Sequence, residues 1–182
     1  MKLNRKMISN ILFIAVLALI IYPPSRAWIM RQFAFSPSIE NVEDRAKLTN
    51  YNWQLKGLNT TDLDFETAKN KVVIVNFWAT WCPPCVAEMP SLQNLYNDYK
   101  DQVVFIFVTQ EGPEKVIPFM EKNKYDLPIY NMVNREPSLL TSKSIPATFL
   151  IDKNGSIVIS KTGAANWNSS KVRSQLDELL KQ

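Results

Sequence analysis

The chain has 182 residues, enough for one domain plus attached segments, and 46% of them are hydrophobic, so an apolar core can form. Five basic residues precede residue 32, leaving 16 of the 21 basic residues against all 17 acidic ones. This nearly neutral remainder does not indicate nucleic-acid binding, whereas a basic end is typical of membrane targeting. The absence of histidine excludes Ser-His and Cys-His catalysis and imidazole metal sites.

Residues 1–30 combine a basic flank, an apolar run and a Pro-Pro stop. The run Met7–Tyr22 has 16 residues, which would form about 24 Å of helix, somewhat short of a ~30 Å hydrocarbon core. We predict an uncleaved single-pass transmembrane helix in the cytoplasmic (inner) membrane, with Lys2, Arg5 and Lys6 on the cytoplasmic side.

The alternative is a signal peptide cut after Ala27, which would give a secreted or periplasmic protein. Pro23, Pro24 and Arg26 crowd that cleavage site, which favours the anchor. Both interpretations place residues 32–182 outside the cytoplasm. We predict a tether over residues 31–50 and one folded domain over residues 51–182.

The domain begins with two short predicted strands, in "NWQLKGL" and "DLDF". The β-branched run "VVIVNF" predicts a strand buried on both faces, and "VVFIFVT" predicts a second one. A helix between them would complete a βαβ unit, which makes these two strands parallel.

The second half continues with a helix near residues 114–122, where Pro118 leaves its start open. The turn signal Lys153-Asn154-Gly155 predicts a hairpin. An amphipathic helix closes the chain, with Asn168 or Ser169 as its cap. The predicted order is β-β-β-α-β-α-β-β-α.

The two cysteines of the chain, Cys82 and Cys85, lie three positions apart in "NFWATWCPPCVAEMP". A structural disulfide would close a loop too small to constrain the unfolded chain much. A zinc site needs about four ligands, which carboxylates would have to complete. The position of the motif between a buried strand and the start of a helix disfavours two unrelated buried thiols. The strand–CxxC–helix context favours a redox pair.

The helix start predicts different roles for the two sulfurs. Free N–H groups and the helix dipole there favour an ionised Cys82, which would be the exposed nucleophile. Cys85, one turn later and more buried, would resolve the mixed disulfide. Pro83 fits the first helical turn, and Pro84 stiffens it and removes another donor.

Together, "FWATWCPPC" and "SIPATFLID" resemble the thioredoxin superfamily, and "VNFWATWCPPCVAEMP" resembles the membrane-anchored thiol–disulfide oxidoreductases related to TlpA and ResA. The resemblance implies an α/β thioredoxin fold: a central mixed sheet flanked by helices, with an added N-terminal β-hairpin and an inserted helix. It implies a bacterial protein without a cofactor or metal. Its partners would be disulfide- or thiol-containing extracytoplasmic proteins and a membrane electron donor.

Residue by residue, the resemblance implies that Cys82 attacks and Cys85 resolves. Trp81 would be the aromatic residue beside the motif, and Pro146 the proline whose preceding peptide bond is cis. The backbone of Ile145 would then pair with an extended partner segment.

One position departs from the thioredoxin pattern, because Asn76 stands where thioredoxins have a buried Asp. From its spacing alone, Glu88 would be a solvated helix residue. The resemblance instead implies that Glu88 stands where the anchored relatives have an acidic residue near the thiols. We therefore expect Glu88 to have a raised pKa and to exchange protons with Cys85.

These patterns predict an enzyme, a membrane-tethered reductase of disulfides in proteins such as apocytochromes awaiting haem. A thiol oxidase or isomerase and a redox-inactive binding module are the alternatives. A copper chaperone or a peroxidase would require motifs that this sequence lacks.

Overall fold

The computed structural model describes residues 5–21 and 35–182 of the protein. Helix α1 (Arg5–Ile21) precedes a domain with seven strands and three α-helices in its described part. The strands are β1 (Gln54–Gly57), β2 (Leu63–Asp64), β3 (Val72–Phe77), β4 (Val103–Val108), β5 (Ile129–Met132), β6 (Ala147–Ile151) and β7 (Ile157–Thr162). The helices are α2 (Pro83–Tyr99), α3 (Pro113–Asn123) and α4 (Ser170–Lys181).

The strands form a single mixed sheet in the order β2-β1-β5-β4-β3-β6-β7. β3 pairs in parallel with β4, and β4 with β5, whereas β6 runs antiparallel to β3. The thioredoxin-like α/β fold predicted from the sequence is therefore confirmed, including the βαβ unit, the leading hairpin and the β6–β7 hairpin.

The predicted element order was wrong at one point, because it omitted strand β5. This strand has only four residues and directly follows Pro128, so it offers too little alternation to be recognised. Its position matters, since β5 joins the β1–β2 hairpin to the rest of the sheet, with Leu55 opposite Met132.

The central strands are buried on both faces, as their β-branched sequences predict. One apolar cluster contains Val72 and Ile74 of β3 together with buried side chains of α2, α3 and α4. The other contains Val73 and Val75, and it includes buried side chains from residues 48–68 but none from the helices α2, α3 and α4. The helices and the amino-terminal part of the domain thus complete different layers.

The segment predicted to be a tether packs along edge strand β7 from residue 40 onward. The Glu40 N–H donates to the Val158 carbonyl at 2.8 Å, and the Ile157 N–H donates to the Ala46 carbonyl at 2.9 Å. Leu48 is buried beside the β6–β7 turn, where its N–H bonds to the Gly155 carbonyl. An edge strand leaves unpaired backbone groups, and this segment satisfies some of them.

Gly155 is required at that turn by both conformation and space. Its φ of +83° lies in the left-handed region, and a Cβ there would be 2.7 Å from the Tyr51 hydroxyl oxygen. Asp152 completes the turn by accepting from the N–H groups of Asn154 and Ser156. The hairpin signal in the sequence therefore also fixes where residues 48–51 pack.

Helix α1 covers much of the predicted anchor, with 17 residues and no acidic residue in its first turn. Within residues 5–21 and 35–182, no helix is both long enough and apolar enough to cross a membrane. The transmembrane prediction is therefore not confirmed. The predicted cleavage site after Ala27 lies outside the described residues.

Candidate active site

The two cysteines lie where β3 gives way to α2, and a disulfide joins them across a Cα–Cα distance of 5.3 Å. Strand β3 is central in the sheet, so it fixes the start of the connecting loop. The Trp78 N–H donates to the Val108 carbonyl of the neighbouring strand, and the Cys82 N–H donates to the Ala79 carbonyl. These bonds hold the loop that delivers Cys82 to the helix.

Cys82 is the N-cap residue of α2, and Pro83 and Pro84 occupy the first turn. Because the prolines have no N–H, Cys85 carries the first backbone N–H inside the helix. That N–H points at the Sγ of Cys82, 3.3 Å away. After reduction, the same donor and the helix dipole would stabilise a thiolate on Cys82.

The burial of the sulfurs corrects one expectation. Cys82 is only 3% exposed in the disulfide form, so it is not the exposed residue that the sequence suggested. It is still the more accessible of the two, since Cys85 is fully buried. In the disulfide form both residues are therefore almost completely covered, and of the two only Cys82 lines the adjoining cleft.

This cleft has a volume of about 760 Å³ and a mostly apolar lining. Trp81 stands at it with 70% of its surface exposed, beside the half-buried Pro83 and Pro84. The Ile145–Pro146 peptide bond is cis, as the resemblance implied. The Ile145 carbonyl oxygen lies 3.8 Å from the Sγ of Cys82, so the sequence-distant motifs meet at one sulfur.

Glu88 lies on α2 and is 1% exposed, so it is not a solvated helix residue. Its Oε1 accepts from the Asn76 amide at 2.8 Å. Its Oε2 accepts from the Trp167 indole N–H at 3.0 Å and from the Ala165 N–H at 3.2 Å. The carboxyl group is thus surrounded by donors but removed from water.

Burial raises the pKa of Glu88 from 4.5 to about 7, and hydrogen bonds from Trp167, Ala165, Asn76 and Thr148 oppose that rise. Desolvation is the larger effect, because four donors do not replace the hydration of a carboxylate. A group with this pKa can both accept and release a proton near neutral pH.

Sequence reasoning missed Trp167, Ala165 and Thr148. Thr148 could be placed only from the strand register, in which it lies directly opposite Asn76 across β3 and β6. Trp167 and Ala165 come from the loop before α4, where an aromatic and a small residue carry no pattern that points to a buried carboxylate.

A second carboxylate, which the sequence did not single out, holds the loop before Cys82. Glu111 accepts from the Thr80 N–H at 2.6 Å and from the Thr80 hydroxyl at 2.8 Å. The Glu111 carbonyl in turn accepts from the Asn131 side chain of β5. The strand missed from the sequence is therefore linked to the cysteine loop.

The family described as Redoxin has a sequence profile that matches residues 42–180, which is more than half of the chain. The chain belongs to the Redoxin family. The matched range begins within the segment that packs on β7 and extends almost to the end of α4, so it contains the disulfide, the cleft and Glu88.

Two named relatives show which proteins of the Redoxin family this chain resembles. The "Thiol-disulfide oxidoreductase ResA" of Geobacillus kaustophilus is 40% identical over 94 residues, covering 49% of this chain and 53% of the relative, about half of each. A Bacillus cereus protein of the same name is 27% identical over 176 residues, covering 95% of this chain and 96% of the relative. These matches confirm the resemblance to ResA-related proteins.

Among solved structures, a thiol:disulfide interchange protein of the thioredoxin family from Chlorobium tepidum superposes with a TM-score of 0.58. The superposition covers 74% of this chain and 98% of that chain at 22% identity. A likeness at this identity concerns the fold alone, and it agrees with the sheet order described above.

The buried carboxyl predicts a specific pH dependence of stability. The pKa of Glu88 is raised in the folded state, so the fold binds its proton more tightly than the unfolded chain does. The free energy of unfolding should therefore fall as pH rises from about 4.5 to 7, by on the order of 3 kcal/mol in total. Glu88→Gln should remove this fall, which urea unfolding of the oxidised protein at several pH values would measure.

The matched control is Glu178→Gln, which makes the same chemical change at an exposed position of α4. A Glu88→Gln protein that keeps the full pH dependence between pH 4.5 and 7 would show that the carboxyl is not the group responsible.

Proposed function

We propose that the protein is a thiol–disulfide oxidoreductase that acts on partner proteins through Cys82 and Cys85. The observation that carries this proposal is the Cys82–Cys85 disulfide, which lies at the start of a helix with Cys82 lining an apolar cleft. A purely structural bridge would need neither the cleft nor a buried carboxyl on the same helix. The names of the ResA relatives support the same activity.

In the reducing direction, the thiolate of Cys82 attacks one sulfur of a partner disulfide, and the other partner sulfur leaves as a thiolate. Cys85 then attacks the Sγ of Cys82, and the bond between Cys82 and the partner breaks. The partner gains two electrons, and the protein is left with the disulfide described here. Since Cys82 lines the cleft and Cys85 is fully buried, we infer that Cys82 meets the partner first.

We infer that Glu88 takes the proton from Cys85 as that thiol becomes the attacking thiolate. Both residues are buried on α2, three positions apart, which places them on one helix face. The pKa of about 7 suits a group that must take up this proton and later return it. Asn76, in the position of the thioredoxin Asp, cannot take a proton itself.

Partner segments would bind in the cleft in an extended form. The Ile145 backbone lies next to Cys82, and the exposed face of Trp81 offers an apolar contact beside it. We infer that a strand-like segment carrying the partner cysteine runs alongside Ile145, with apolar neighbours against Trp81. Apocytochromes awaiting haem are one class of partner with suitable cysteines.

We further propose that the domain is held outside the cytoplasm by the amino-terminal segment. Seven large apolar side chains of α1 are exposed to solvent, which an unpartnered helix in water does not favour. Arg5 and Lys6 lie at its basic end. Insertion in the cytoplasmic membrane would cover the apolar surface and keep the domain near a membrane electron donor.

The direction of electron flow follows from the reduction potential. A value near −270 mV, as in thioredoxin, would fit the reductase, whereas one near −120 mV would identify a thiol oxidase. Equilibration of the protein with glutathione buffers measures this value directly.

Replacement of single cysteines tests the exchange reaction. Cys82→Ser should abolish reduction of insulin disulfides, because it removes the attacking sulfur, while Cys85→Ser should accumulate a mixed disulfide with the partner. Non-reducing electrophoresis and mass spectrometry would detect the trapped complex, with Val42→Ala at an exposed site as the control. Full activity in Cys82→Ser would show that this sulfur is not the attacking one, whereas an unsubstituted protein without insulin reduction would leave a redox-inactive binding module as the remaining interpretation.

Removing the Glu88 carboxyl should slow exchange without preventing folding. We expect Glu88→Gln to reduce the rate at pH 7 by about 100-fold, at the lower end of general acid–base contributions. Stopped-flow measurements from pH 5 to 9 would record the profile. Rates that match the unsubstituted protein across this range would remove Glu88 from the mechanism.

Cell fractionation tests the proposed location. The full chain should remain with membranes after a carbonate wash, and Leu12→Lys with Ile14→Lys should weaken that association, since both side chains are exposed on α1. A mature amino terminus at Trp28 would instead indicate a cleaved signal peptide and a secreted protein.

A further inference from the structure

The two oxygens of Glu88 have different neighbours. Oε2 accepts from the Ala165 N–H and the Trp167 indole N–H, and both of these groups can only donate. Oε1 accepts from the side-chain amide of Asn76, a group that has one donor end and one acceptor end. The carboxyl group is therefore asymmetric: a proton on Oε2 would face two donors, whereas one on Oε1 would face Asn76, which is able to accept it. The Thr148 hydroxyl, which also hydrogen-bonds Glu88, can donate or accept.

The amide of Asn76 is set for the ionised form of Glu88. Its Nδ2 donates to Glu88 Oε1 at 2.8 Å and to the Thr148 hydroxyl oxygen at 2.7 Å. Its Oδ1 is buried and has no hydrogen-bond partner in the described part of the chain. An unused buried acceptor is costly, and here it lies on the same side chain that contacts the carboxyl group.

Once Glu88 is neutral, this arrangement no longer fits, because the new O–H on Oε1 would meet the N–H of Asn76. A half-turn of the amide brings Oδ1 to face both Oε1 and Thr148, and it moves Nδ2 to the buried place where Oδ1 had no partner. The hydroxyl of Thr148 can donate or accept, so it suits either orientation. The buried network therefore has two hydrogen-bond patterns, one for each protonation state.

We propose that Asn76 is a positioning residue whose amide donates to Oε1 of ionised Glu88 and turns over to accept the proton of neutral Glu88, while Trp167 and Ala165 hold Oε2. The proton that passes between Cys85 and Glu88 is then always carried on one oxygen in one orientation. The role of this turnover in catalysis rests on the proposed exchange reaction, whereas the turnover of the Asn76 amide itself does not depend on it.

The surroundings leave Glu88 as the titrating group of this network. Strand β3, strand β6 and residues 163–169 contain no ionisable side chain, and the cysteines of α2 are joined in the disulfide. At the start of α4, Lys171 is exposed to solvent, and Arg173 is paired with Asp98 at 2.8 Å. A pH-dependent change at Asn76 would therefore report on Glu88.

Nuclear magnetic resonance of the oxidised full chain in detergent micelles tests the turnover without any catalysis. At pH 8.5 the Asn76 amide protons should show nuclear Overhauser contacts to Thr148, and at pH 5 these contacts should be lost. Contacts that stay the same at both pH values would overturn the proposal and identify the Thr148 hydroxyl as the acceptor.

Glu88→Gln supplies an internal control for this measurement. Its amide oxygen should take the place of Oε2, opposite the two fixed donors, so its NH₂ group must face Asn76. Asn76 should then stay turned over, and the contacts to Thr148 should be missing at both pH values. Their presence in this variant would also contradict the proposal.

Trp167→Phe tests whether the indole N–H of Trp167 holds Oε2 of Glu88, while an aromatic ring stays in place. Losing a donor to a charged oxygen should move the midpoint of the Glu88 carboxyl ¹³C titration upward by about one pH unit or more. Trp53→Phe is the matched control, since the indole N–H of this buried residue has no partner among the described residues. Equal midpoints in the two variants would mean that Trp167 does not hold Oε2.

These readouts separate the inference from the proposed function. If Cys82→Ser proved active, the proposed exchange reaction would be rejected. The titration of Glu88 and the amide contacts of Asn76 would be unaffected. An unchanged Asn76 amide would reject the positioning role and leave the two-cysteine reaction standing.

Discussion

A carboxyl group buried beside a disulfide is the constraint on which the rest of this molecule depends. Removing a carboxylate from water costs several kcal/mol even after the protein relaxes, so Glu88 is tolerated only because donors surround it. Those donors come from strand β3, from strand β6 and from the loop before α4, which are far apart in sequence. The sheet register and the docking of that loop must both be correct before the site exists.

The same low-dielectric surroundings make the chemistry of the two cysteines and Glu88 interdependent. An ionised Cys85 or Glu88 would be destabilised in these surroundings. This supports the proposed transfer of a proton from one residue to the other. Cys82 experiences the opposite situation, since the start of α2 directs the Cys85 N–H and the helix dipole toward its sulfur. Under the proposed reaction, the start of α2 would stabilise a thiolate on Cys82, while Glu88 would take the proton of Cys85 one turn further along the helix.

The outer parts of the domain serve this arrangement from both sides. Strand β5 attaches the leading hairpin and, through Asn131, contacts Glu111, which holds the loop before Cys82. On the other edge, the segment before β1 covers β7, and the Phe35 carbonyl accepts from the Asn166 N–H within the loop that reaches Glu88. The segment predicted to be a tether is thereby joined to the loop that holds the carboxyl group.

The sequence by itself determined the buried parallel strands, the hairpin at Gly155, the capped cysteine pair and the family to which the chain belongs. These features depend on local patterns: β-branched runs, turn residues and a motif placed between a strand and a helix. Only the tertiary structure decided that β5 exists, that Cys82 is almost covered, and that Asn76, Thr148 and Trp167 meet at Glu88. The reason is physical, because burial and hydrogen bonding between distant residues depend on register and packing, which no local pattern encodes.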